Sequence, residues 1–393
     1  MSEIHIVAGV RTAVGTYGGS LKDIPPTALA AQVVREAMAR SKADPATVGH
    51  VVFGQVVQSE PRDVYMARVA AIEGGLPEEV PALTVNRLCG SGLQAVLTAA
   101  QAIQAGDADV AVAGGAESMS RAPYQLPSNR WGARFGDGTV IDTLKGALTD
   151  PFHRIQMGLT AENVAERYGI SRDEQDAYAV QSHQRAARAI AEGRFDGQIL
   201  PIRIRKGREQ VHFAVDEHVR PNATTADLAR LATVFKEGGS VTAGNASGMN
   251  DGAAAVVLAS AEAVRAQGLT SLGRLVAWGY AGVDPAYMGI GPIPATRRAL
   301  DRAGLTVADL GVIESNEAFA SQACAVARDL GLDPELTNPN GSGISIGHPV
   351  GATGAINLVK CLYELRRTGR RYGLVTMCIG GGQGIAAIVE SAG

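Results

Sequence analysis

Short apolar segments that alternate with alanine-rich amphipathic stretches restrict, more than any other feature, what this chain can fold into. Residues 4–7, 51–53 and 110–113 are apolar runs of the kind that form buried strands. Residues 27–40 and 92–105 lie between them, and their apolar side chains recur at the spacing of one helix face. Strands and helices that alternate along a chain predict a layered α/β fold.

The alternating pattern occurs a second time near the C-terminus. Residues 25–53 begin with proline, continue through a helical pattern and a turn, and end in an apolar strand. Residues 292–313 follow the same order. We interpret this as a weak internal repeat that predicts two similarly folded halves, and the alternative is a chance similarity between two ordinary α/β units.

The composition changes between the two halves. Residues 121–138 are rich in Arg, Pro, Trp and Gly, residues 160–191 are helical and charged, and residues 202–220 contain a basic cluster. The buried-strand pattern returns at residues 253–259. We therefore expect an insertion that carries loops rather than a core layer. The predicted parts are an N-terminal half of residues 1–119 plus 249–270, a loop domain of residues 120–248, and a C-terminal half of residues 271–393.

Charge and cysteine content exclude several classes of protein. The formal net charge is −3, with 36 basic and 39 acidic residues, so nothing favours nucleic-acid binding. Cys89, Cys324, Cys361 and Cys378 are scattered and lack zinc-finger spacing, which favours a reducing compartment and no structural metal. We expect no signal peptide or targeting tail, and the sequence contains no apolar run of about 18 residues. We expect a cytoplasmic protein with no membrane span.

Cys89 is the first of four reactive side chains that stand beside glycines. It lies between an apolar strand pattern at residues 83–85 and a helical pattern that begins near Gly90. The free N–H groups and positive dipole end of a helix N-terminus stabilise a thiolate and lower the pKa of a thiol. Free cysteine is also a common buried residue. From this segment alone, a nucleophile and a small core residue remain equally open.

His348 and Asn316 precede helical patterns in the second half. His348 is followed by proline and a glycine-rich turn, and histidine is the usual general base near neutral pH. A surface or helix-capping histidine is the alternative. Asn316 follows a strand pattern together with Glu314 and Glu317, and it could equally be a simple N-cap.

Cys378 ends a strand pattern at residues 372–377 and opens the segment Cys-Ile-Gly-Gly-Gly-Gln-Gly. The glycines do not match the phosphate-binding loop, and no helix with a ribose-binding acid follows. The loop around Gly380 is better suited to presenting backbone N–H groups to a carbonyl oxygen. A plain tight turn is the alternative.

Together the four segments meet the requirements of one reaction. A Claisen condensation of two acyl thioesters needs a nucleophile for the first acyl group and a base for the α-proton of the second. It also needs hydrogen-bond donors for two separate oxyanions. Two cysteines and a histidine beside glycine-rich loops, together with an asparagine, supply such a set.

Over nearly its whole length the chain resembles the thiolases, in particular the bacterial acetyl-CoA acetyltransferase and broad-range β-ketothiolase branch. The motifs that carry the resemblance are Cys-Gly-Ser-Gly at 89–92, Gly-Gly-Ala-Glu-Ser-Met-Ser at 114–120, Gly-Asn-Ala-Ser-Gly at 244–248, Asn-Glu-Ala-Phe at 316–319 and Gly-His-Pro-Val-Gly-Ala-Thr-Gly at 347–354. The resemblance implies two βαβαβαββ halves in a five-layer α/β/α/β/α arrangement with an inserted loop domain. It also implies reversible condensation of acyl-CoA with acetyl-CoA, and thiolysis of 3-ketoacyl-CoA, by ping-pong chemistry through an acyl-cysteine.

The resemblance assigns a role to each catalytic residue. Cys89 is the acylated nucleophile. His348 activates Cys89 and donates a hydrogen bond to the thioester oxygen, while Asn316 holds a water that completes the same oxyanion hole. Cys378 is the acid and base for the α-proton. The backbone N–H groups of Cys89 and Gly380 form the second oxyanion hole.

The resemblance also implies a binding site for acetyl-CoA, acyl-CoA and CoA, with no further cofactor. Ser247 and the turn at Ala243 and Gly244 contact the pantetheine arm, and Arg220 lies near the nucleotide end. The remaining substrate-binding residues are Gln156, Met157, Phe235, Met288, Ala318 and Phe319. Of these, Met157, Met288 and Phe319 line the acyl pocket, and core packing is the alternative for these three. The family usually forms dimers or dimers of dimers, so we expect a homotetramer, with residues 121–138 matching the part that commonly joins dimers.

One departure concerns Gln156, because many relatives have histidine at this place, and glutamine cannot carry its charge. The main alternative function is a decarboxylating β-ketoacyl synthase of the same fold class, which typically lacks a second catalytic cysteine. A non-enzymatic acyl-CoA-binding relative is expected to have lost a catalytic residue. A cysteine hydrolase leaves Cys378 without a role.

Overall fold

The structure, a computed structural model, describes residues 3–392. The strands are β1 (Ile4–Thr12), β2 (Gly15–Thr16), β3 (Val48–Gly54), β4 (Ala82–Val85), β5 (Val110–Ser118), β6 (Tyr124–Gln125), β7 (Ile141–Asp142), β8 (Ile199–Leu200), β9 (Ile202–Lys206), β10 (Glu209–Phe213), β11 (Asn250–Ser260), β12 (Gly273–Gly282), β13 (Leu310–Ser315), β14 (Tyr372–Ile379) and β15 (Gln383–Ser391). The helices are α1 (Pro26–Ser41), α2 (Met66–Glu73), α3 (Ser91–Ala105), α4 (Thr143–Ala147), α5 (Met157–Tyr168), α6 (Arg172–Ala191), α7 (Thr225–Ala229), α8 (Ala261–Gln267), α9 (Pro292–Ala303), α10 (Ala320–Leu330) and α11 (Thr353–Thr368). None of the helices in residues 3–392 combines the length and apolarity that a membrane span needs.

The two halves repeat the same order of strands. In the first half the sheet runs β4-β3-β5-β11-β1, with β3 parallel to β4 and β5, and β11 antiparallel to β5 and β1. In the second half it runs β13-β14-β15-β12, with β13 parallel to β14, and β15 antiparallel to β14 and β12. An isolated parallel bridge from Ile313 to Thr337 stands where the first half has β4. The predicted repeat is therefore confirmed, and it extends over the whole of each half.

The helices form three layers around these two sheets. Helices α3 and α11 lie between the sheets and share one apolar core with both of them. Helix α1 covers the outer face of the first sheet, and α9 covers that of the second. The expected five-layer α/β/α/β/α arrangement is confirmed. The sheets also touch edge to edge, where β1 pairs with β12 over three residues at Ile4, His5 and Ile6.

Glycines bring the two central helices into backbone contact near their N-termini. A Cβ atom added to Gly354 would lie 2.3 Å from the backbone nitrogen of Leu93, and one added to Gly92 would lie 2.8 Å from that of Ala355. Only residues without side chains permit this approach. The loops that precede α3 and α11 are consequently held side by side.

The insertion between β5 and β11 contains more regular structure than the sequence indicated. Residues 160–191, predicted as one helical stretch, belong to α5 and α6, which are separated at Gly169, where φ is 60°. Ala161, Val164 and Ala186 on these helices are buried in apolar clusters of the body. Residues 202–213 form the hairpin of β9 and β10. The insertion therefore contributes packing as well as loops.

We expect Gly354→Ala to destabilise the protein, because the added methyl group meets the backbone of α3 rather than a movable side chain. Overpacking of this kind costs about 1–3 kcal/mol. Gly146→Ala is the matched control, since a Cβ atom there meets nothing within 4 Å and alanine favours helix α4. Thermal unfolding should show a lower Tm for the first variant only. An unchanged Tm for Gly354→Ala would contradict the close crossing.

Candidate active site

A strained turn presents Cys89 between β4 and α3. Leu88, the residue before it, has a φ of 44°, which is uncommon for a residue other than glycine. The Leu88 N–H donates to Asn86 Oδ1 at 2.9 Å, and the Ser91 hydroxyl donates to the Leu88 carbonyl at 2.7 Å. Strain held by surrounding hydrogen bonds is a feature of functional turns. Hydrogen bonds among the neighbouring residues therefore hold the turn that presents Cys89.

The glycine loop after β14 lies directly against this turn. A Cβ atom on Gly90 would be 2.6 Å from Ile379 Cδ1, so the two segments touch. The backbone N–H of Gly380 is directed at the Cys89 sulfur and favours its thiolate form. The two cysteines are also close enough for a charge on Cys89 to raise the pKa of Cys378. Cys89, Cys378 and Gly380, predicted from distant segments, thus meet at one place.

Burial decides the protonation state of both cysteines. It raises the pKa of Cys89 to about 11, with a smaller contribution from the Glu117 carboxylate, and these outweigh the N–H groups of Gly380 and Cys89. It also raises the pKa of Cys378, whose side chain is fully buried. The position of Cys89 at a helix N-terminus predicts a lowered pKa for its thiol. This prediction is wrong, because desolvation is the larger effect. Both residues are thiols at neutral pH.

The hydrogen bonds of His348 fix the position of its proton. Its Nδ1 lies 2.6 Å from the hydroxyl oxygen of Thr353, and that hydroxyl donates its own proton to the Pro349 carbonyl at 2.9 Å. The Thr353 oxygen must therefore accept, so Nδ1 carries the proton of the neutral ring and Nε2 is free to take another. Burial lowers the pKa of His348 to about 4, which keeps the ring neutral at pH 7. Asn250 Oδ1 accepts the backbone N–H of His348 at 2.9 Å.

Asn316 faces the same nitrogen of the ring. Its Nδ2 lies 3.5 Å from His348 Nε2, and its backbone N–H donates to the Thr376 carbonyl at 2.9 Å. The simple N-cap alternative is wrong, because α10 begins at Ala320 with Phe319 as its N-cap. Asn316 Oδ1 is buried and has no hydrogen-bond partner within residues 3–392. The amide can therefore bind a water or a polar group of a substrate.

An apolar wall surrounds Cys378. It consists of residues from the insertion and from the second half, and the phenyl rings of Phe235 and Phe319 meet edge to face at 6.3 Å. Gly158 permits this packing, because a Cβ atom there would lie 2.1 Å from the Phe235 ring. The members of the wall are Met157, Ala161, Phe235, Val241, Ala246, Met288, Ala318 and Phe319. The three predicted acyl-pocket residues, Met157, Met288 and Phe319, are among them.

A cleft of about 630 Å³ opens beside this wall. Arg220, Ala243 and Gly244 line it, and within the described part of the chain Arg220 is its only lysine or arginine. Ala246 borders both the cleft and the wall around Cys378, so the two spaces adjoin. The predicted residues Ser247 and Gln156 lie at the edge of this region. Ser247 donates its N–H to the Ala318 carbonyl at 2.9 Å, and Gln156 is the N-cap of α5, directly before Met157.

Three buried residues that contact the loops and side chains of the site had no role assigned from the sequence, namely Glu117, Asn250 and Thr353. Thr353 and Glu117 lie within motifs that carried the resemblance, so their presence was visible while their contacts were not. Asn250 begins β11 and had no signal of its own. Two further histidines, His183 and His218, also line the cleft with stacked rings 6.4 Å apart. Nothing in their spacing along the chain indicated that they meet.

Comparisons with known proteins agree with this geometry. Residues 4–262 match the family described as "Thiolase, N-terminal domain" and residues 269–391 match "Thiolase, C-terminal domain". The chain is 63% identical over 390 residues to "Beta-ketothiolase BktB" of Cupriavidus necator, covering 99% of each chain, and 45% identical to the mitochondrial "3-ketoacyl-CoA thiolase" of Bos taurus, covering 99% and 98%. The solved structure of the Bacillus anthracis acetyl-CoA acetyltransferase is similar with a TM-score of 0.97 and 46% identity, covering 100% of this chain and 99% of the other.

A second solved structure, human mitochondrial 3-ketoacyl-CoA thiolase in complex with CoA, has a TM-score of 0.96 and 45% identity, covering 100% and 98% of the two chains. Each of these similarities extends over essentially the full length of both chains. The two domain families are matched in order along one chain. The chain belongs to the thiolase family.

Proposed function

We propose that this chain is an acetyl-CoA C-acyltransferase that catalyses the reversible Claisen condensation of acyl-CoA with acetyl-CoA and the thiolysis of 3-ketoacyl-CoA. The observation that carries the proposal is the meeting of two thiols, the half-buried Cys89 and the buried Cys378, at the loop of Gly380. Relatives named for both activities, acetyl-CoA acetyltransferase and 3-ketoacyl-CoA thiolase, support it. The reaction uses CoA thioesters as substrates and needs no further cofactor.

In the first half-reaction the Cys89 sulfur attacks the thioester carbonyl of an acyl-CoA. Because Cys89 is a thiol at rest and His348 is neutral, the proton of Cys89 passes to His348 Nε2 as the carbon–sulfur bond forms. The N–H groups of Cys89 and Gly380 stabilise the oxyanion. CoA leaves as a thiolate and takes the proton of Cys378. The enzyme then holds an acyl group on Cys89, an imidazolium and a Cys378 thiolate.

In the second half-reaction the Cys378 thiolate removes an α-proton from acetyl-CoA. Its raised pKa makes it a strong base once it has given up its proton. The thioester oxygen of acetyl-CoA accepts hydrogen bonds from His348 Nε2–H and from a water on Asn316. The carbanion attacks the acyl carbonyl on Cys89, the sulfur of Cys89 leaves, and it recovers its proton from His348. Cys89, His348 and Cys378 thereby regain their starting protonation states, since the α-proton replaces the one that left Cys378 with CoA, and thiolysis follows the same steps in reverse.

The alternative of a decarboxylating synthase is less well supported, because it gives Cys378 no role. The Cys378 thiol lies beside Cys89, and this closeness is of no use to such a reaction. In the proposed reaction the same closeness is required, since both thiols act on one carbon–carbon bond. An assay of thiolysis with 3-ketoacyl-CoA of increasing chain length tests the activity and measures the chain-length preference together.

We extend the proposal to the substrate site and the assembly. The cleft lined by Arg220 takes the pantetheine arm and nucleotide of CoA, because a 3′-phosphate needs a cation. The chain forms a homotetramer, which is supported by the exposed side chains of Tyr124, Trp131 and Phe135 in the insertion. Its four scattered cysteines favour the cytoplasm. The three-part domain division stays a prediction.

Separate roles for the two thiols predict separate defects. In Cys378→Ser, acetyl-CoA should still acetylate Cys89, while condensation falls by about 10²–10⁴-fold, since that is the usual contribution of a general acid or base. Cys89→Ser should lose most of the label. Cys324→Ala, at a buried cysteine in α10, is the matched control and should change neither. Intact-protein and peptide mass spectrometry read the label. An acetyl group on Cys378 and never on Cys89 would refute the assignment.

Replacing Arg220 by Ala should raise KM for CoA in thiolysis by about tenfold, the value of one lost charge-assisted hydrogen bond. The kcat should stay near that of the parent, because the lost interaction is equal in the ground and transition states. Arg208→Ala is the control, since Arg208 is an exposed arginine in the hairpin turn away from the cleft. Steady-state kinetics measure both constants. An unchanged KM would leave Arg220 as an ordinary surface charge.

Thr353→Val should lower kcat by about ten- to a hundredfold, because a displaced catalytic base loses rate steeply. Valine has the shape of threonine without the oxygen that accepts the proton of His348 Nδ1. Thr353→Ser keeps that oxygen and should retain most of the activity. Thermal unfolding of both variants separates loss of fold from loss of base. Equal activity in the two variants would show that the tautomer of His348 does not depend on Thr353.

A further inference from the structure

Glu117 joins three segments around the site through one carboxylate. It lies near the end of β5 with its side chain fully buried. Its Oε2 accepts the N–H groups of Val56 at 3.0 Å and Gly351 at 2.9 Å, and its Oε1 accepts that of Val57 at 3.1 Å. The segments that it connects are the loop after β3, the end of β5, and the loop that carries His348.

The internal repeat gives Glu117 a counterpart in the second half. Thr376 is the last residue of β14 that pairs with β13, and Cys378 follows two residues later. Gly115 is the last residue of β5 that pairs with β3, and Glu117 follows two residues later. Glu117 therefore occupies in the first half the position that Cys378 occupies in the second.

A second pair of equivalent residues strengthens the correspondence. Gln55 directly follows β3, as Asn316 directly follows β13. Both amides are buried, and across residues 3–392 neither Gln55 Oε1 nor Asn316 Oδ1 has a hydrogen-bond partner. Glu117 and Gln55 of the first half thus occupy the same positions as Cys378 and Asn316 of the second half. Of the first-half side chains at the site, only that of Cys89 takes part in a chemical step of the proposed reaction.

The charge of Glu117 acts on Cys89. A carboxylate at this position raises the pKa of the Cys89 thiol. Burial and the nearby Asp63 raise the pKa of Glu117 itself, to about 8, whereas the three N–H donors work in the opposite direction. Glu117 is therefore mostly neutral at pH 7 and mostly ionised at pH 9, where its charge opposes the ionisation of Cys89.

We propose that Glu117 is a positioning residue that fixes the loop of His348 against the loop after β3 and the end of β5. The inference rests on the proposed function, because it assumes that Cys89 and His348 react together. Glu117 itself makes no contact with the reacting atoms. It acts through the backbone of Gly351, three residues from His348, and through its charge.

The test replaces Glu117 by Gln. One oxygen of the pair becomes an NH₂ group that faces an N–H donor, and the charge is lost. The kcat should fall by about a hundredfold, as displacement of a catalytic group does. Iodoacetamide should alkylate Cys89 faster than in the parent at pH 9, where Glu117 of the parent is ionised, because the thiolate fraction increases. Peptide mass spectrometry assigns the label to Cys89.

Glu364→Gln is the control, since Glu364 is a buried carboxylate on α11 that contacts Asn340 and Arg367. It should lower the Tm without changing the alkylation profile. If Glu117→Gln does not fold, Glu117→Asp serves, because it keeps the charge but is one methylene too short to hold all three N–H groups. This variant should lose kcat without faster alkylation.

The proposal is overturned if Glu117→Gln, or Glu117→Asp in its place, keeps the kcat of the parent. It is also overturned if the alkylation rate of Cys89 in Glu117→Gln equals that in Glu364→Gln. Acetylation of the parent enzyme distinguishes a failure of this inference from a failure of the proposed function. A parent that acetylates Cys89 while Glu117→Gln behaves as the control refutes only this inference, whereas a parent without the acetyl group refutes the proposed function.

Discussion

The close crossing of α3 and α11 is the constraint on which the rest of the site depends. Gly92 and Gly354 allow the backbones to approach to contact distance, and no other residue type fits there. Because Cys89 precedes one helix and His348 precedes the other, their loops are neighbours as soon as the helices pack. The apolar core shared by the two sheets and these helices supplies the driving force. Site assembly is therefore a consequence of packing the central layer.

A buried ion pair connects the same layer to the strand that carries Asn316. Lys360 on α11 donates to Glu314 Oε2 at 2.6 Å and to the Gly341 carbonyl at 2.7 Å. Burial raises the pKa of Glu314 to about 7 even with Lys360 beside it, so the pair contributes little net stability. The pair instead helps to fix the position of Asn316, because Glu314 lies two residues before it. Together with Glu117, it ties the loops of both halves to the central helices.

The fold and the reactive groups could be predicted because each has a local signature. The alternation of strands and helices predicted a layered α/β fold. Cys89, His348 and Cys378 each stand beside glycine in a short motif. The contacts of Glu117 and Thr353 could not be predicted, because they depend on strand register and loop geometry rather than on neighbours in the chain. The pKa of Cys89 was predicted in the wrong direction for a related reason. Dipole position is visible in a sequence, whereas depth of burial follows from tertiary packing.

The duplicated scaffold explains how one site holds groups of such different chemistry. Equivalent positions carry Glu117 in one half and Cys378 in the other, so equivalent backbone placement supplies a buried carboxyl group on one side and a buried thiol on the other. The insertion then adds what neither half contains, namely Met157 and Phe235 against the wall around Cys378 and Arg220 in the cleft. Substitutions in the insertion can therefore change the shape of the apolar wall and of the cleft, while Cys89, Asn316, His348 and Cys378 all belong to the two halves.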